Sequence, residues 1–108
     1  MPKRTPPTFP AAARQIAALG ERLRAARRRR RLTQAVVAAR VGVTKQTIAR
    51  LEAGNASTTL ATTLRVLQVL GLGADIDLLA ANDELGRRLQ DAAQPGPPRG
   101  RAAKRSKR

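Results

Sequence analysis

Apolar residues in the first two-thirds of this chain return every three or four positions, the spacing that gathers side chains on one face of a helix. Ile16, Leu19, Leu23 and Ala26 form the first such stripe, with Arg22, Arg24 and Arg27 to Arg31 at the other positions. The pattern predicts a helix ending near Arg30. Thr33 then stands as an N-cap ahead of Val37, Ala38 and Val41, whose short helix Gly42 terminates. Thr44 caps a third helix with Ile48 and Leu51 turned inward and Gly54 past its end. From about Thr59, the residues Leu60, Leu64, Leu67 and Leu70 define a fourth helix, stopped by Gly71 and Gly73. The period changes after that. Ala74, Ile76 and Leu78 alternate with Asp75 and Asp77, the two-residue repeat of a strand with one buried face. A single strand leaves its backbone unpaired, so the expected partner is the same strand of a second copy; an extended surface segment is the other reading. Glu84 to Gln90 can form a final helical turn.

Length and composition limit what these helices can build. A chain of 108 residues holds one small core plus tails. With Phe9 as its one aromatic residue and no Cys or His, that core is made of Leu, Val, Ile and Ala, which favours an all-α fold. Four prolines among residues 1–10 predict a disordered arm, and Pro95, Pro97 and Pro98 with the basic run after them predict a disordered tail over 91–108. Between them lie a helical domain at 11–73 and a strand with a short helix at 74–90. No apolar run has the length of a membrane span or the placement of a signal peptide, so a soluble, cytoplasmic protein is expected. Without Cys and His the usual metal ligands and the commonest general base are missing. No glycine-rich phosphate loop or paired nucleophile and base appears either, and neither an enzyme nor a cofactor is expected.

The net charge of +15 is unevenly spread. Residues 1–32 carry ten basic groups against one acid and residues 91–108 carry six against one, whereas residues 33–90 are nearly balanced. Basic flanks of this kind add salt-sensitive, sequence-independent affinity for a polyanion, because each neutralised phosphate releases counterions. A tail that only aids solubility has the same composition. A non-specific RNA- or nucleoid-binding protein is therefore an alternative, though the chain lacks the aromatic residues on which single-stranded bases stack.

The strongest local signal runs from Gln34 to Leu51. A small residue at Ala38 lets two helices approach closely, Gly42 allows a tight turn, and Ile48 and Leu51 pack the second helix on the first. Such a rigid pair can place the exposed N-terminal face of its second helix in the DNA major groove. This spacing and the LTQ...GVT...LE.G frame resemble the lambda-repressor and Cro-like, or Xre-type, helix-turn-helix family over roughly residues 16–71. The resemblance implies a four- to five-helix DNA-binding domain. It also implies that Gln34 bonds a phosphate and braces the first residue of the recognition helix, and that Lys45, Gln46, Thr47 and Arg50, with Thr44 at the helix head, read bases or phosphates. Their chemistry suits those roles, since glutamine pairs with adenine, lysine and arginine pair with guanine, and threonine touches the thymine methyl. Asn55, Ser57 and Thr58 are expected to meet phosphates from the following loop, with simple capping and solvation as the other reading. Arg27 and Glu52 are expected to form a structural ion pair, and Arg28 to Arg31 a solvated helix end near the DNA backbone.

Beyond that unit, the leucine-rich fourth helix, the Gly break and the alternating LGLGADIDLLAAND segment resemble the HipB-like antitoxins. That resemblance implies an all-α fold with one short C-terminal strand, Ala74, Ile76 and Leu78, pairing across a homodimer. It further implies a nucleoid-associated bacterial autorepressor of a type II toxin-antitoxin system, acting on a palindromic operator with half-sites about 10 bp apart, and a HipA-like kinase toxin as partner.

Overall fold

A computed structural model describes residues 7–94. The chain divides into two compact units, Met1–Asp77 and Leu78–Arg108, each described by itself. In the first unit, α1 spans Pro10–Arg29, α2 Gln34–Val41, α3 Lys45–Glu52 and α4 Leu60–Val69. Helix α1 begins on proline, whose missing N–H is no loss at a first helical position. The Phe9 carbonyl accepts from the Ala13 amide at 2.9 Å, so the arm expected to be disordered through residue 10 gives way to helix there. Its residues 1–6 lie outside the described residues, as do residues 95–108 of the expected tail. Thr33, Thr44 and Thr59 start the next three helices in the same way, each hydroxyl accepting an amide three residues on at 3.1 Å.

The core is small and aliphatic: Leu23 and Ala26 from α1, Val37 and Ala38 from α2, Ile48 and Leu51 from α3, and Val66 and Leu67 from α4, closed by Leu70. Helix α2 packs on both α3 and α4, and α1 packs on α3. The crossing of α1 over the end of α3 explains a glycine in mid-helix. A Cβ on Gly20 would stand 2.6 Å from the Glu52 carbonyl oxygen and 2.7 Å from that of Leu51, closer than any side chain can sit.

Two expectations are corrected. On α4 the buried face runs through Thr63, Val66, Leu67 and Leu70, and Leu60 is exposed. Thr63 fits there because its hydroxyl donates to the Thr59 carbonyl at 3.1 Å and shows the core only its methyl group. The second correction is the strand. Gly73–Leu78 is a 3₁₀ helix, in which the Asp75 amide reaches the Leu72 carbonyl at 3.0 Å. Three residues per turn leave only Ile76 of Ala74, Ile76 and Leu78 half-buried, with Leu78 72 % exposed. Local i to i+3 bonds satisfy backbone that a strand could pair only with a partner, and among the described residues there is no strand.

The second unit carries α5, Glu84–Ala93, three residues longer than the turn anticipated. Asp83 caps it, its carboxylate accepting from the Gly86 amide at 2.9 Å. Leu85 and Leu89, one turn apart, are exposed.

Candidate nucleic-acid interface

Helices α2 and α3 are joined by a three-residue turn whose first member, Gly42, has φ +88°. Its amide and that of Val43 both bond the Ala38 carbonyl, at 2.8 and 3.0 Å, which closes α2 and reverses the chain. Val37 and Ile48, fully buried, fill the angle between the two helices. What remains outside on α3 is the set singled out by the sequence: Lys45, Gln46 and Arg50 are exposed and Thr47 is half-buried. Thr47 is also tied down. Its amide donates to the Thr44 hydroxyl and its own hydroxyl lies 2.9 Å from that of Thr44. These two threonines hold the head of α3, while the three longer side chains project from it.

The one acid of α3 is neutralised from two sides. Arg27 donates from Nε and Nη2 to the two Glu52 carboxylate oxygens at 2.7 and 2.9 Å, a bidentate pair in which both residues are buried. Its Nη1 donates to the Leu32 carbonyl at 2.8 Å. Gln34 Nε2 donates to the same carboxylate at 3.0 Å. Gln34 thus braces the last residue of α3, where the family resemblance placed its bond at the first. A carboxylate taken out of water resists ionisation, but the hydrogen bonds from Arg27 and Gln34 and the positive charges of Arg27 and Arg24 outweigh that burial and hold the Glu52 pKa below the ordinary glutamate value. The bond to Glu52 likewise raises the Arg27 pKa against the effect of burial. One carboxylate therefore joins α1, α2 and α3.

In the loop after α3, Asn55 Oδ1 accepts from the Ser57 amide at 2.8 Å and from its hydroxyl at 2.6 Å. Thr58 donates its amide to the Asn55 carbonyl at 3.2 Å. The loop is folded on itself, with Asn55 and Ser57 exposed. Sequence reasoning passed over two residues of this region. Gly20 sets how closely α1 approaches α3, and its signal was a glycine inside a helical stripe. Arg24, which lends its charge to Glu52, gave no signal among its basic neighbours. Among the described residues no cluster of three or more acidic, His or Cys groups could hold a metal, and no helix is long and apolar enough to cross a membrane.

A family model described as a helix-turn-helix domain matches residues 18–81, more than half of the chain. No curated protein and no solved structure gives a match.

Proposed function

Since the chain belongs to the helix-turn-helix domain family, we propose that it is a sequence-specific DNA-binding regulator of the Xre type, acting as a homodimer on a palindromic operator. The observation that carries this reading is the exposed face of α3, where Lys45, Gln46 and Arg50 stand on a capped, core-anchored helix whose own acid is neutralised. Charged and amide side chains on a rigid helix suit base edges in the major groove. Asn55 and Ser57 flank this face as phosphate contacts.

Three or four base-reading side chains are too few for a long site, which favours two copies. The surface that joins them is not the strand first expected; the exposed Leu85 and Leu89 of α5 offer an apolar alternative. The narrower reading, an autorepressing HipB-like antitoxin that binds a HipA-like kinase, keeps the order of its helices and Gly break as support and loses its strand. Co-purification of a kinase-like partner is its test. Non-specific RNA binding has less support, since the chain has a single aromatic residue.

Selection of bound duplexes from random DNA tests the main reading. A defined, two-fold symmetric site is expected, and substitution of Gln46 and Thr47 together should relax the preference while non-specific binding persists. No enrichment, or an unchanged preference in the double variant, counts against it.

A further inference from the structure

Helix α1 presents a second basic group of side chains beside the paired Arg27, which lines the same cleft. Arg24 and Arg28 lie one turn apart, and Arg31 follows just beyond the helix end. These three line an open cleft of about 490 Å³ together with Thr33, Gln34 and Lys45, at the starts of α2 and α3. Among the described residues the one ion pair is Arg27 with Glu52, so Arg24, Arg28, Arg31 and Lys45 bring four unpaired cations to this cleft. The one acid of α1, Glu21, does not line this cleft, though it shares neighbouring clefts with Arg24 and Arg28 and forms no ion pair with either.

The backbone gives an independent sign. Each of the first four helices is followed by a residue with positive φ: Arg31 at 56°, Gly42 at 88°, Gly54 at 84° and Gly71 at 77°. Glycine takes this conformation without steric cost, and an L side chain does not. Arg31 is held there because the Leu32 amide bonds the Arg27 carbonyl at 3.2 Å across it while Arg27 Nη1 bonds the Leu32 carbonyl. Ala80, at φ 58°, shows that such strain alone implies no role, but Arg31 stands where glycine serves the other three helices and its side chain lines the basic cleft, which together point to a use for it.

We propose that Arg24, Arg28, Arg31 and Lys45 form a phosphate clamp that receives the sugar-phosphate backbone of the bound duplex beside the groove entered by α3. The inference rests on the DNA-binding reading. Guanidinium groups suit it because each can present two parallel N–H donors to one phosphate. Gln34 retains a second N–H on Nε2 for the same partner, the first being given to Glu52.

The test measures affinity for a selected duplex from low to moderate salt, for the full chain and for Arg31→Gly, the Arg24→Gln with Arg28→Gln double variant, and Arg29→Gln. Arg29 is exposed and outside this cleft, and serves as the matched loss of charge. Arg31→Gly should raise the thermal midpoint, lower affinity and reduce the slope of log affinity against log salt by about 0.9, and the double variant by about twice that. Arg29→Gln should leave the slope unchanged, and base preference should persist in all. An unchanged slope in Arg31→Gly, or an equal fall in Arg29→Gln, overturns the clamp while leaving DNA binding intact. Stabilisation by inorganic phosphate that depends on Arg31, with no change in the duplex slope, also overturns it in favour of a free-anion site. A wild-type chain that binds no duplex defeats this inference and the functional reading together.

Discussion

Glu52 is 7 % exposed and Arg27 8 %, so neither charge has much water to fall back on. Removing one partner strands the other: Arg27→Met alone should lower stability by about 3–5 kcal/mol, whereas Arg27→Met with Glu52→Leu should recover most of that loss. Urea midpoints of the single and double variants check this. The same pair sets an acid limb. Because the folded-state pKa of Glu52 is lowered, its stabilisation is complete above the ordinary value of 4.5 and is lost as pH falls from there through the lower folded value. The wild type should thus lose more stability than Glu52→Gln between pH 6 and 3, measured by denaturant titration at each pH. At this scale the sequence was informative through the spacing of Arg27, Gln34 and Glu52 in a known frame, yet it did not foresee the bond from Gln34 to Glu52 at the end of α3. Which carboxylate an amide finds depends on how helices cross, and spacing does not contain that.

Helix α1 shows how packing overrides propensity. Alanine favours a helix interior over glycine by about 1 kcal/mol, yet Gly20→Ala should be net destabilising by about 1–3 kcal/mol, because its Cβ would meet backbone carbonyls of α3 that cannot yield separately. Gly42→Ala has nothing within 4 Å of the new Cβ and should cost only the backbone strain of its positive φ, about 1 kcal/mol. Thermal unfolding should rank the two in that order. Helix limits were legible because their causes are local: Thr33, Thr44 and Thr59 bond their own first turns, and glycines close three of the ends. The segment from Ala74 to Leu78 misled because five alternating residues fit a half-buried strand and a 3₁₀ helix alike, and only the lack of a neighbouring strand decides. Leu60 misled for a different reason. A threonine bonded to its own helix packs like a small apolar residue, so the true core stripe on α4 includes one that hydropathy discounts.

At the scale of the whole molecule, most of the positive charge lies near the ends of the chain and in α1, and the base-reading set lies in α3. On the proposed reading, affinity and choice are carried largely by different residues, with Lys45 shared between them. If two copies join through α5, Leu85→Lys with Leu89→Lys should turn a dimer into a monomer in sedimentation equilibrium and leave thermal stability of the α1–α4 unit unchanged. A dimer that survives the change places the contact elsewhere. Lys45, Gln46 and Arg50 are exposed and take no part in the hydrogen bonds among Arg27, Gln34 and Glu52. Replacing all three should move stability by no more than about 0.5 kcal/mol each. The fold can therefore be treated as a socket and the face of α3 as an interchangeable bit. On the proposed reading, descendants of this chain could acquire new target sequences by drift at Gln46 and Arg50 without first passing through an unstable intermediate, whereas Lys45 is also held by its place in the phosphate clamp.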